Sequence, residues 1–262
     1  MEKKLILVTN DDGIAAPGLH ALVEVASRFG QVYIVAPDSP QSAQGHAITI
    51  AEPLRLRQVD MFDEHEAWEC SGTPVDCVKL ARHVVLKGRK PDLCVSGINH
   101  GSNASINIIY SGTLSAAMEA SLEGIPSIGF SLLDYSWDAD FSAAQHYARI
   151  LIEWVLCGGL SGCNLLNVNV PKLPLSEIAG MRICRQARGR WEEDFMEGRD
   201  PRGEPYYWLT GRFVCEDDGP DTDVGALMRG YVSVVPTGHD LTVHGAIEPL
   251  RELEQVQAKI SR

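Results

Sequence analysis

One junction near the start of the chain constrains the fold more than any other feature. Leu5-Ile6-Leu7-Val8 is an uninterrupted apolar run, the pattern of a strand buried on both faces. It gives way at once to Asn10-Asp11-Asp12-Gly13. Two adjacent carboxylates at the end of a buried strand repel each other and are costly to desolvate. Either a cation sits between them, or they are exposed as an acidic turn ahead of the next helix. Ligands in open α/β sheets collect at the carboxyl ends of strands, so the position admits both readings.

The surrounding pattern is that of alternating strands and helices. Pro17 to Phe29 reads as a helix with Leu19, Leu22, Val23 and Ala26 at helical spacing, Pro17 in its first turn and Gly30 at its end. A second strand, Val32 to Ala36, runs into a long polar loop, Pro37 to His46. Leu54 to Glu69 reads as a peripheral hairpin or loop, and Val75 to Leu86 as a helix. A third strand, Leu93 to Ser96, ends in Gly97-Ile98-Asn99-His100-Gly101. A helix over Thr113–Glu123, strands over Ser127–Leu132 and Leu165–Val170, and a helix over Phe141–Leu156 complete the series. This order implies a Rossmann-like α/β fold, a mainly parallel sheet with helices on both faces. After Met181 aromatics, Arg and Gly alternate with acidic loops, which predicts short strands, a strand at Tyr231–Val235 and a last helix at Pro249–Lys259. The chain therefore reads as a single domain, 1–262, with a core to about residue 180 and a β-rich C-terminal arm over 181–262.

Asp11, Asp12, Ser42 and Asn99 all fall at strand ends, and together they form an all-oxygen set suited to a hard cation such as Mg²⁺, Mn²⁺ or Ca²⁺. Ser42 and Asn99 could equally stabilise their own turns. Ser111-Gly112-Thr113 opens a helix, where hydroxyls and free N–H groups make an anion site; the plainer reading is an N-cap. Ser71-Gly72-Thr73-Pro74 has the same form, and a cap is as good a reading there as a substrate role.

NDDG after the first strand, PDSPQSAQGHAIT after the second, SGTPVDCV, and VSGINHGSN followed by YSGT together resemble the SurE family of metal-dependent nucleotidases. The resemblance runs almost continuously from Leu5 to Leu132. It resumes more weakly at Leu166–Pro171, at Asp221-Thr222-Asp223 and at Gly230–Pro236. It implies one divalent cation per subunit, Mg²⁺ or Mn²⁺, held by Asp11, Asp12, Ser42 and Asn99, and a nucleoside monophosphate as substrate. It also implies that the arm is exchanged between subunits of a homodimer or homotetramer. Asp11 and Asp12 are then the catalytic pair, with Asp12 as ligand or base for an attacking water. Asn103, Ser111, Gly112 and Thr113 are the expected phosphate contacts. His46 is expected to be a hydrogen-bonded loop group.

The formal net charge of −12 argues against a nucleic-acid backbone or an anionic membrane as the main partner. No apolar run approaches the length of a membrane span, and the residues before Thr9 are too few and too polar for a signal-peptide core. The seven cysteines, odd in number and mostly in apolar surroundings, suit a reduced, cytoplasmic protein, and their spacing is unlike a zinc site. The acidic run Asp217–Asp223 lacks the closing Glu of a calcium loop and reads as a solvated turn. Rival functions are weaker. A receiver-like signalling domain needs an Asp where this chain has Asn99, and a partner Lys that is not evident. A dinucleotide site needs GxGxxG after the first strand, which is missing. No DxDxT pattern suggests an aspartyl-phosphate route. A non-catalytic nucleotide or metal sensor would keep the same site without turnover.

Overall fold

The computed structural model describes residues 3–254. β1 (Lys4–Thr9) leads through the acidic turn into α1 (Pro17–Ala26), and β2 (Gly30–Pro37) follows. A long loop reaches β3 (Leu56–Val59) and β4 (Glu66–Cys70), then α2 (Pro74–Leu80), which continues as a π-helical turn over Ala81–Val85. β5 (Leu93–His100), a 3-10 turn (Ser105–Ile109), α3 (Gly112–Leu122), β6 (Ser127–Leu132), α4 (Ser142–Leu156) and β7 (Leu165–Val170) complete the alternating part. Beyond it lie β8 (Met181–Ile183), β9 (Gly189–Arg199), β10 (Pro205–Cys215), α5 (Asp223–Met228), β11 (Val232–Thr237) and α6 (Ile247–Leu250).

Nine strands form one sheet in the order β3-β4-β2-β1-β5-β6-β7-β11-β8. All neighbours are parallel except β3 with β4 and β11 with β7. Period-2 alternation splits the apolar run of β1 between the two faces. Ile6 and Val8 pack with α1 and α4 through Leu19, Leu22, Leu151 and Ile152. Leu7 faces the other way, with Val35 and Cys94, onto Cys77, Val78, Ala116 and Ala120 of α2 and α3. The doubly covered sheet expected from the sequence is therefore present.

The elements differ from expectation in instructive places. Gly30 does not end α1 but opens β2, where a Cβ would lie 2.2 Å from the Lys4 carbonyl oxygen; the glycine is there for strand contact. The peripheral hairpin or loop expected over Leu54–Glu69 is a hairpin at the edge of the sheet, with β3 outermost and β4 paired in parallel with β2. β5 runs on to His100, so Asn99 lies within the strand, just past a register shift against β6 between Ser96 and Asn99. After residue 180, β8 and β11 belong to the main sheet, and only β9 and β10 stand apart, as two 11-residue strands paired with each other. The last expected helix, Pro249–Lys259, is described only to residue 254 and its remainder lies outside the described residues.

The chain leaves β1 toward β2 on one side and leaves β5 toward β6 on the other. Strands β1 and β5 are neighbours, so the loops above them diverge and open a crevice at their carboxyl ends. α1 fixes one wall of it by close approach. At Gly18 a Cβ would come 2.0 Å from the carbonyl oxygen of Ile98, the residue before Asn99. Gly18→Ala should therefore force α1 away from β5. Overpacking of this kind costs about 1–3 kcal/mol, and urea unfolding should show a lowered midpoint with an unchanged slope.

Candidate active site

Asp11 and Asp12 sit in the crevice above β1. Asp11 is buried and Asp12 partly so. The Thr113 hydroxyl, in the first turn of α3, donates to Asp11 Oδ1. The approach is close enough that a Cβ at Gly112 would come 2.7 Å from Asp11 Cβ, so only glycine fits there. The start of α3 is thus occupied by a carboxylate of the protein itself, where the helix dipole favours negative charge. The amide of Gln41, one residue before Ser42, donates to the Asp11 carbonyl at 2.7 Å, and the amide of His100 donates to Asp12 Oδ2 at 3.3 Å. Burial first, and then the neighbouring charge of Asp12, push Asp11 up to about 6, against the hydrogen bonds from Thr113. Burial also raises Asp12, against the His100 amide bond.

These residues fit a hard cation. The acidic pair carries more desolvated negative charge than its hydrogen bonds offset. The candidate ligands Asp11, Asp12, Ser42 and Asn99 offer oxygen, the donor type that suits hard cations; among the described residues no group of three or more His, Cys, Asp or Glu side chains converges. Asn99 spends only its Nδ2 on the protein, donating to the carbonyls of His100 and Gly101 at 3.2 and 2.9 Å, and Ser42 is exposed on the loop beside Asp11.

The phosphate candidates are placed less uniformly. Ser111 caps α3, its Oγ accepting from the Leu114 amide at 3.0 Å. Thr113 is engaged with Asp11, as described. Asn103 is turned into a buried polar network: its Nδ2 donates to Ser131 Oγ at 2.8 Å, and its amide donates to Asn169 Oδ1 at 2.8 Å. Thr73 forms a full capping box with Asp76 on α2, and Ser71 Oγ accepts from the Arg55 amide. Both are structural roles.

The comparisons with known proteins can be set against this geometry. The family model described as Survival protein SurE matches residues 6–193. The chain belongs to the SurE family. Similar SurE relatives include proteins named 5'-nucleotidase SurE from Christiangramia forsetii, 58% identical with 95% of this chain and 96% of the relative covered, and from Flavobacterium psychrophilum, 57% identical over 95% and 97%. Among solved structures, the SurE protein of Aquifex aeolicus superposes with a TM-score of 0.82 at 38% identity, covering 95% of this chain and 99% of that one. The SurE resemblance read from the motifs thus holds over the whole chain.

His46 is the hydrogen-bonded loop group expected, but its partners, and two further clusters, escaped the sequence reading. His46 Nε2 lies 3.0 Å from Glu119 Oε2, and Lys79 bonds the other oxygen; the His46 hydrogen bond, then Lys79, hold Glu119 below the usual carboxylate range. This ties the Ser42 loop to α2 and α3. The second is the amide of His100 at Asp12. The third is Asp223, which is not solvated but fully buried. Its carboxylate accepts from the amides of Ser105, Ala187 and Val224 at 2.8, 2.9 and 2.8 Å, while Ser105 Oγ donates to the Ala187 carbonyl and accepts from the Gly189 amide. The root of the β9–β10 hairpin is thereby bonded to the turn before α3. Elsewhere in the acidic run, Asp217 and Asp221 pair with Arg185.

The raised Asp11 has a measurable consequence in metal-free protein. A carboxyl whose folded pKa exceeds its unfolded value binds protons more tightly when folded, so stability falls as pH rises from near 4 through about 6. Asp12→Asn removes one of the two causes. In EDTA its melting temperature should equal or exceed that of wild type at pH 8, and the difference should fade toward pH 4. A pH series of thermal melts measures this; a mutant less stable at pH 8 contradicts it.

Proposed function

We propose that the chain is a divalent-metal-dependent phosphomonoesterase that hydrolyses nucleoside monophosphates to nucleoside and phosphate, a 5'-nucleotidase like its named relatives. The observation that carries the reading is the desolvated Asp11-Asp12 pair packed against the first turn of α3, at the switch point of a SurE-family sheet. The similar relatives are named as 5'-nucleotidases rather than as sensors, and a receiver domain would need an acid in place of Asn99.

In this reading Asp11, Asp12, Ser42 and Asn99 hold one Mg²⁺ or Mn²⁺, with Ca²⁺ able to fit the same oxygens. The cation supplies neutralisation of the phosphoryl charge and a more acidic water. Thr113 orients Asp11 and so acts on the cation ligand rather than directly on phosphate. In the opening turn of α3, Ser111-Gly112-Thr113, the Ser111 amide is bonded to the Ile108 carbonyl and the Thr113 amide to Asp11, so the Gly112 amide is the one proposed to meet a phosphate oxygen, and Asn103 stiffens the loop that leads there. Water attacks phosphorus in line with the ester oxygen, and an Asp12 carboxylate oxygen takes its proton. The P–O ester bond then breaks, the leaving nucleoside oxygen takes a proton from solvent water, and Asp12 returns to solvent the proton it took, so that the carboxylate is restored.

The β9–β10 hairpin exposes Phe195, Met196, Tyr207, Trp208 and Leu209. A lone two-stranded hairpin is marginal in water, and apolar surface of this extent marks an interface. We take it to be covered by a second copy in a homodimer or homotetramer, so that the chain is one domain with an interacting arm. The seven free cysteines suit a reducing compartment, and we place the protein in the cytoplasm. No helix among the described residues is long and apolar enough to cross a membrane.

Exhaustive EDTA treatment should abolish phosphate release from nucleoside monophosphates, and Mg²⁺ or Mn²⁺ should restore it; full turnover without metal would refute the reading. Asp12→Asn should lower kcat by roughly two to four orders of magnitude, the scale of a lost general base, and shrink the stabilisation given by Mn²⁺ in thermal melts. Light scattering at micromolar concentration should give at least twice the 28.7 kDa chain mass; a monomer would leave the hairpin unexplained.

A further inference from the structure

Two large aromatic side chains stand exposed beside the acidic pair, on the loop that follows β6. Tyr135 is 77% exposed and Trp137 60%. β6 is parallel to β5 and next to it, so this loop rises on the same edge of the sheet as the Asn10–Gly13 turn. Single exposed aromatics are common and mean little. These two differ in what they rest on. The Trp137 indole lies parallel to the His100 ring, with centroids 5.8 Å apart and planes 6° from parallel. His100 in turn meets the edge of Phe141 in the core, at 5.2 Å and 84°. Tyr135 lies against Gly101, where a Cβ would come 2.3 Å from its Cε1. Both rings are therefore set on the two residues that follow the cation-ligand candidate Asn99, and the amide of His100 is itself bonded to Asp12.

The loop that carries them is braced. Asp134 Oδ1 accepts from the Ser136 amide at 3.0 Å and from Lys172 Nζ at 3.0 Å, Ser136 Oγ accepts from the Asp138 amide at 3.3 Å, and the Ser136 carbonyl from the Ala139 amide at 3.2 Å. A stack that begins in the core with Phe141, continues through His100 and ends in an indole with one face in solvent is already ordered, so a further flat ring can join it at little entropic cost. Every nucleobase has such a face, and stacking on aromatic side chains recognises bases with little regard to sequence. One ribose separates phosphate from base, so a base-binding surface belongs beside the phosphate site rather than in it, which is where these rings stand.

We propose that Trp137, supported by His100 and flanked by Tyr135, is the stacking platform for the nucleobase, and that it sets the preference for nucleoside monophosphates over phosphomonoesters that lack a base. The assignment rests on the phosphatase reading given above. It predicts breadth among bases, with purines favoured by their larger surface.

The test compares kcat/KM for AMP, UMP and ribose 5-phosphate in Mn²⁺, for wild type, Trp137→Ala, Trp137→Phe and Tyr135→Ala. The AMP to ribose 5-phosphate ratio should fall about ten- to hundred-fold in Trp137→Ala, chiefly through the KM for AMP, the scale of one base–aromatic stack. Trp137→Phe should keep most of the ratio, and Tyr135→Ala should lose less than Trp137→Ala. Should Trp137→Ala not fold, Trp137→Leu, which removes the flat ring and keeps apolar bulk, takes its place, with the same expected fall and the same overturning result. A ratio unchanged within twofold in Trp137→Ala overturns the platform, as does a fall in particle mass by light scattering, which would make this face a subunit interface. A wild-type enzyme that cleaves ribose 5-phosphate as well as AMP overturns the platform and leaves the phosphatase standing. A wild type that releases phosphate from none of the three, in Mg²⁺ or Mn²⁺, overturns the phosphatase reading and the platform with it.

Discussion

The organisation of the crevice depends on one contact, the bond from the Thr113 hydroxyl to the buried Asp11 carboxylate. A desolvated carboxylate is costly unless something compensates it. Here the compensation comes from a helix start delivered by a glycine too small to obstruct it. The contact joins the end of β1 to the start of α3, two elements on either side of the switch point. Everything else in the site is hung from these two. The Gln41 amide holds the Ser42 loop to the Asp11 carbonyl, and the His100 amide holds the end of β5 to Asp12.

Residual imbalance at the acidic pair is what makes it chemically interesting. Burial and mutual repulsion still outweigh the hydrogen bonds at Asp11. A purely structural carboxylate is usually brought the other way, as at Asp217, which Arg185 draws down to about 2. The two acids therefore mark opposite strategies within one chain: one pair neutralised by a cationic side chain for stability, the other left short of positive charge where a cation and a phosphate can supply and use it. Two clefts of about 560 and 500 Å³ lie near Leu160–Cys163 and Pro236 at the other end of the sheet, so volume alone would have pointed away from the chemistry.

The strands, their order of appearance, the acidic pair and the family were legible in the sequence because each is written in contiguous residues: an apolar run, a turn, a spacing of glycines. What could not be read were bonds between residues distant in sequence. Thr113 looked like a phosphate ligand because hydroxyls at helix starts bind anions; its partner Asp11 stands 102 positions away. Asp223 looked solvated because it belongs to an acidic run, whereas its amide partner at Ser105 is 118 positions away. α5 was missed although Thr222 is a helix cap, accepting from the Gly225 amide; that signal was present locally and was masked by the neighbouring charges. The strands of the hairpin are longer than the sequence suggests, because exposed strands lack the alternation that burial imposes on one face.

The knot at Asp223 divides the hairpin into parts of unequal standing. Beyond Trp191, whose indole N–H donates to Asn107 Oδ1 at 2.8 Å, the two strands are paired with each other, so changes there act on whatever covers the hairpin and leave the crevice undisturbed. The first residues of the hairpin cannot change so freely, because Ala187 and Gly189 share a carboxylate and a hydroxyl with the turn that leads to α3. A lineage, or an engineer, grafting a foreign hairpin onto this scaffold must keep the residues up to Trp191 for the sake of the crevice, and beyond them need match only the surface that the hairpin meets.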